Sequence, residues 1–107
     1  MKGSHLVATE LLEKAAALSG GAPDIRTDLA ASRLRVGRQD EALDELAGVF
    51  DHDPAQTRAG VMLASLHLQR GEAPAAVEIM QKLVENEPQN LTFLNILASA
   101  LLAVGKQ

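Results

Sequence analysis

The side chains in this sequence with the most obvious chemical capacity are three histidines and an Asp-His-Asp run. His5, His52 and His67 carry ring nitrogens of the kind that ligate metals or move protons near neutral pH. A helix sets two such ligands on one face when they are four residues apart. No pair of these histidines has that spacing. Asp51-His52-Asp53 places a carboxylate on each side of an imidazole, which could hold a cation or relay a proton. It stands immediately before Pro54, however, where acids serve to cap the next helix. Asp40-Glu41 and Asp44-Glu45 read as a solvated helix face, and His67 reads as a partly buried ring. Neither a Ser-His-Asp arrangement nor a phosphate-binding Gly-rich loop is visible. The expectation is a chain without catalytic residues, metal site or cofactor, and not an enzyme.

Composition narrows the remaining classes. The 107 residues suffice for one domain with a modest core, and 47% are hydrophobic, but the aromatics are two phenylalanines alone. A core of Leu, Ala, Val, Ile and Met favours helices over a sheet. The net charge is −4 with scattered basic residues, and nucleic acid binding requires a basic stripe to neutralise phosphates. With no cysteine there is no disulfide and no thiolate metal site. The longest apolar stretch, 91–104, is shorter than the roughly 20 residues of a membrane span and carries Asn95 and Ser99. No signal-peptide pattern precedes the chain, which favours the cytoplasm. Gly3-Ser4-His5 has the look of an expression scar, but Gly3 falls in register with later glycines, so only Met1-Lys2 reads as expendable.

That register is the main organising feature. Gly3, Gly37, Gly71 and Gly105 are spaced by 34 residues, and the first three are each followed five residues later by Ala8, Ala42 and Ala76. Pro54 and Pro88 share the interval. A period of this length marks a stack of helical hairpins. Punctuation by Gly20-Gly21, Pro23, Asp53-Pro54 and Glu87-Pro88 then predicts helices over 4–18, 23–36, 39–52, 55–70, 73–86 and 89–104. Pro23, Pro54 and Pro88 are expected in the first turn of the helices they introduce. Gly37 and Gly71 are expected as left-handed residues ending one helix and turning the chain into its partner. Two- to four-residue connections make neighbouring helices antiparallel. Ala42 and Ala76 then sit where two helices approach closely. Apolar residues recur at three- and four-residue steps, as in Ala76, Ile79, Met80, Leu83 and Val84.

These residues resemble a tetratricopeptide repeat. Leu29-Ala30, Gly37, Ala42 and Pro54 fit the family pattern, as do Leu63-Ala64, Gly71, Ala76 and Pro88, and then Leu97-Ala98 and Gly105. Gly3 and Ala8 fit the second half of an earlier repeat. The sequence departs from the pattern at the large aromatic slots, which hold Arg33, His67 and Leu101, and at the Trp-like slot, which holds Arg26, Gly60 and Leu94. The resemblance implies an all-α, right-handed α-α superhelix of about six antiparallel helices. It implies one domain over 1–107, divided into a trailing half-repeat at 3–20, repeats at 21–54 and 55–88, and a leading half-repeat at 89–107.

The resemblance also implies a function. In the family the first helix of each hairpin lines a concave groove that takes an extended peptide or a helix. The matching positions are Arg58, Val61, Met62, Ser65 and Leu68 in the fourth segment and Asn95, Ile96, Ser99 and Leu102 in the sixth, with Asp24, Thr27 and Arg35 among those of the second. One subfamily clamps a C-terminal carboxylate with Lys and Asn, and the matching slots here, including Thr27, Met62 and Ile96, do not supply that charge. A non-catalytic scaffold binding a protein or peptide partner is therefore expected, without nucleic acid or membrane insertion. An alternative is a structural self-assembly element. The last segment is apolar nearly all round and the first carries Leu6, Val7, Leu11, Leu12 and Leu18, so the expected contact, head to tail, pairs Leu94, Leu97 and Leu101 with Leu11 and Leu12 of another copy, while a two-fold dimer would instead bury last helix against last helix. The period is cut mid-repeat at each end, which equally fits a fragment of a longer array or a regulatory segment of a larger enzyme.

Overall fold

The computed structural model describes residues 2–106, within which all regular structure is helical. The helices are α1 (Lys2–Leu18), α2 (Pro23–Arg35), α3 (Gln39–His52), α4 (Thr57–Gln69), α5 (Ala73–Asn86) and α6 (Leu91–Val104). The expendability expected of Met1 falls outside the described residues, while Lys2 opens α1. The chain forms two compact units, Met1–His52 and Asp53–Gln107.

In the first unit α1 packs on α2 and α2 on α3; in the second α4 packs on α5 and α5 on α6. The α2–α3 and α4–α5 connections turn on the expected glycines. Gly37 and Gly71 have φ of +82° and +75°, a region in which a Cβ would collide with its own backbone. The N–H of Arg38 reaches the carbonyl of Arg33 at 2.8 Å, and that of Glu72 reaches His67 at 2.8 Å. The same six-to-one bond closes both helices and satisfies a carbonyl that would otherwise be orphaned. Gly3 and Gly105 share the sequence register but not the conformation. Gly3 lies inside α1, and Gly105 has an ordinary φ of −65°.

Pro23 starts α2 as expected. Pro54 and Pro88 do not start helices; each stands three residues before one. The reason is a turn that Pro is preorganised to occupy at its second position. Gln56 N–H donates to the Asp53 carbonyl at 3.0 Å, and Asn90 N–H donates to the Glu87 carbonyl at 3.1 Å. Asp53 correspondingly does not cap α4. Its carboxylate accepts from the Ala55 N–H and from Gln56 Nε2, both at 3.1 Å, and so belongs to the turn. Asn90 is the side chain that caps, accepting the Phe93 N–H at 3.1 Å.

Small residues sit at the helix approaches in both units. Ala30, Ala42, Ala64 and Ala76 are completely buried, as are Leu46, Phe50, Met80 and Leu83. The first unit also encloses a polar contact that the repeat does not announce. Thr9 donates its hydroxyl to the His5 carbonyl at 2.7 Å. The single proton of Thr9 is thereby used, so Ser32 is the donor in the buried 2.6 Å contact joining α1 to α2.

Arg26, in the Trp-like slot, lies across α3 with Nε 3.3 Å from Glu45 Oε1. Gly48 makes room for it, since a Cβ there would stand 2.9 Å from the Arg26 guanidinium. Arg33, in an aromatic slot, is held between carboxylates of α1 and α3, 3.7 Å from Glu13 and 3.6 Å from Glu41. Long cationic stems thus cover apolar surface where the family pattern puts rings.

Candidate functional site

Nine of the expected groove residues lie in the second unit, on α4 and α6. Val61, Met62, Ser65 and Leu68 on α4 are half-buried, whereas Arg58 is exposed. On α6 Ile96 is half-buried, and Asn95, Ser99 and Leu102 are exposed. Both helices pack on α5, so the two sets flank one common helix. Of the expected positions in α2, Thr27 is buried and donates its hydroxyl to the Pro23 carbonyl at 2.8 Å.

Charge is distributed unevenly in this unit. Neither α4 (TRAGVMLASLHLQ) nor α6 (LTFLNILASALLAV) contains an acidic residue, and α6 has no charged residue of either sign. The acids are on α5, at Glu78 and Glu85, and in the turns, at Asp53, Glu72 and Glu87. A surface built from α4 and α6 therefore offers hydroxyls, an amide and partly exposed aliphatic groups. Such a surface suits apolar burial far better than ion pairing.

The expected self-association residues divide. Leu11, Leu94 and Leu101 are exposed, while Leu12 and Leu97 are half-buried. The reason is helical phase. Phe93 and Ala100 are buried, and Leu97 falls on their side of α6, whereas Leu94 and Leu101 stand at its flank and Leu91 and Leu102 on the far side. Leu91 and Leu102 are the most exposed of these, at 79% and 69%. On α1, Leu6, Val7, Leu11 and Leu18 are exposed, with Glu10 and Lys14 also exposed among them.

His67 ends α4 as a half-buried ring whose Nδ1 lies 2.9 Å from Glu72 Oε1, and the same oxygen accepts from Arg70 Nε at 3.1 Å. The bond from His67, reinforced by Arg70, holds the Glu72 carboxyl below its ordinary range. A depressed carboxylate contributes stability above its ordinary pKa, and that contribution is lost as pH falls through the depressed value. Acidification from neutrality toward roughly pH 3 should therefore lower the melting temperature more in the native chain than in Glu72→Gln. Parallel thermal melts across that range would contradict the assignment if both chains lost the same amount.

Shallow depressions of about 340 and 410 Å³ lie at Leu6, Arg35, Val36 and Gly37 and at Glu87, Pro88, Gln89 and Asn90. The first includes Arg35, one of the expected positions of α2, and neither is lined by an expected groove residue of α4 or α6. Among the described residues no group of three or more His, Cys, Asp or Glu could hold a metal ion, and no helix is long and apolar enough to cross a membrane.

The Arg26–Glu45–Gly48 arrangement and the Thr9–Ser32 pair escaped the sequence reading. The first had a signal, a glycine inside an otherwise regular amphipathic helix. The second had none, because lone hydroxyl residues on two helices do not declare their register.

A profile of the tetratricopeptide repeat matches residues 33–103. A TPR repeat-containing thioredoxin from Arabidopsis thaliana is 39% identical over 75 residues, which make up 70% of this chain and 11% of that protein. The chain thus spans about a ninth of the length of this relative.

Proposed function

The chain belongs to the tetratricopeptide repeat family, and on that premise we propose that it is a scaffold whose second unit receives an apolar peptide or helix along α4 and α6. Repeats of this family generally mediate protein–protein interaction and are typically non-catalytic modules. The observation that supports this site is the acid-free composition of the two helices in a chain with 14 acidic residues. Val61, Met62, Leu68, Ile96 and Leu102 form the apolar contact, with Ser65, Asn95 and Ser99 as neutral polar partners. Arg58 lies at the first turn of α4. The repeat layout proposed with it is 3–20, 21–54, 55–88 and 89–107.

No catalytic role is proposed for these residues. The thioredoxin in the relative's name is said of that protein, and a chain without cysteine carries no dithiol. A role as the regulatory segment of a longer enzyme remains compatible with the same binding surface.

Binding of amphipathic helical peptides presented on an array tests the groove. Met62→Asp and Ile96→Asp should each reduce affinity by tenfold or more, the cost of placing an unpaired charge against an apolar ligand. Circular dichroism melts must remain near those of the native chain for the result to count. Undiminished capture by two folded variants would remove the groove from the surface.

A second reading is self-association through the terminal helices. It is favoured by the exposed leucines of α6 and α1, since contiguous exposed apolar patches on soluble chains mark sites of association.

A further inference from the structure

We infer that Met62 is a reversible oxidation site through which a peroxide controls the groove: its thioether form takes an apolar ligand and its sulfoxide form releases it. This concerns the regulation of the α4–α6 surface and rests on the reading of that surface as a binding groove.

The first observation is which oxidisable groups the chain has. It contains three methionines and no cysteine, tryptophan or tyrosine, so thioethers are the groups that a mild peroxide attacks first. The two methionines among the described residues stand in opposite surroundings. Met80 on α5 has no exposed surface, whereas Met62 on α4 is half-buried, with part of its side chain open to water. Oxidation follows access. The fold therefore separates a reachable thioether from a protected one on the helix behind it.

The second observation is where the reachable one stands. Met62 belongs to the apolar set with Val61, Leu68 and Ile96, on two helices that carry no acidic residue. A thioether suits an apolar contact because it is flexible, polarizable and needs no hydrogen-bond partner. A sulfoxide does need one, and an apolar ligand laid over its oxygen offers no donor. With the groove empty, water supplies that donor. So do Arg58 and Ser65, four residues before and three after Met62 on the same helix. The oxidised groove is thus comfortable when open and penalised when filled. Met80 keeps its thioether inside the core, so the packing of α5 beneath the groove is untouched.

The step balances on hydrogen peroxide alone. The Met62 sulfur lone pair attacks one peroxide oxygen, an S–O bond forms and the O–O bond breaks. The hydroxyl proton passes to the departing oxygen, which leaves as water. Sulfur loses two electrons and the peroxide gains them. Reversal takes two thiols, which become a disulfide while the sulfoxide oxygen leaves as water. Methionine sulfoxide reductases, one for each sulfoxide epimer, catalyse that return.

The test treats the full 107-residue chain with millimolar hydrogen peroxide over a time course. Tryptic cleavage after Arg58, Arg70 and Lys82 places Met62 in 59–70 and Met80 in 71–82, so mass spectrometry reads each gain of an oxygen separately. Met62 should be converted while Met80 is still reduced. Affinity for the amphipathic helical peptide that the native chain captures most tightly should then have fallen by about tenfold, with a circular dichroism melt near that of the untreated chain. Both reductases with dithiothreitol should restore it. Met62→Leu, compared only with itself before and after peroxide, should show no change, and Met80→Leu should keep the native response. Conversion of Met80 as fast as Met62 would overturn the selectivity. Undiminished binding by the Met62 sulfoxide, an equal loss in Met62→Leu, a collapsed melt, or a loss that the reductases do not reverse would each overturn the switch and leave the groove standing. A native chain that captures no peptide before peroxide is added would overturn the groove and this inference together.

Discussion

Phe50→Ala is expected to remove about 3–5 kcal/mol of unfolding free energy, the loss typical of a large aromatic side chain truncated in a core. Phe50 is one of only two phenylalanines and is 1% exposed, beside Leu46 and Val49 on the buried side of α3. A core built otherwise from aliphatic and alanine side chains has no comparable volume to move into the space. The cavity term therefore adds to the lost transfer energy. Small domains have only about 5–15 kcal/mol in total, so the variant should be substantially unfolded well below the native melting temperature. Urea titration followed by circular dichroism measures the effect. A loss under about 1.5 kcal/mol would mean that α2 and α3 close around the truncated site.

Ala76→Leu should cost about 1–3 kcal/mol by the opposite mechanism. Ala76 has no exposed surface and lies near the start of α5, a helix packed on both α4 and α6. Three added carbons there force the helices apart or drive neighbours off their rotamers. Ala42, its counterpart one repeat earlier, is equally inaccessible and should respond alike. Ala17→Leu is the control: Ala17 is exposed on α1, and the change should fall within about 0.5 kcal/mol of native. If Ala76→Leu melted with the native chain, the close approach assigned to this position would be wrong.

The helices were legible because the strongest local signals agree with one another. Gly37 and Gly71 fall where only a residue without Cβ is comfortable, and the apolar steps of α3 and α5 match the helical period. The helix starts at Pro54 and Pro88 were misread because proline suits two neighbouring roles, the second position of a turn and the first turn of a helix. The backbone hydrogen bonds from Gln56 to Asp53 and from Asn90 to Glu87 decide between them, and composition does not encode that choice. The expected groove positions could be placed on α4 and α6 through the family resemblance, whereas the half-burial of Val61, Met62, Ser65, Leu68 and Ile96 comes from the packing of those helices on α5.

The sequence by itself determined the 34-residue period, the six helices, the two glycine turns and the absence of charge on α6. Each follows from backbone sterics or side-chain type, which are local. Tertiary structure alone decided which leucines are covered. Leu97 and Leu101 are the same residue one helical turn apart, yet Leu97 is half-buried and Leu101 is exposed. Burial belongs to the pairing of α6 with α5, which selects one side of a helix that is apolar on nearly every side. The same holds for Arg26 and Gly48, whose complementarity exists only because α2 and α3 are packed together.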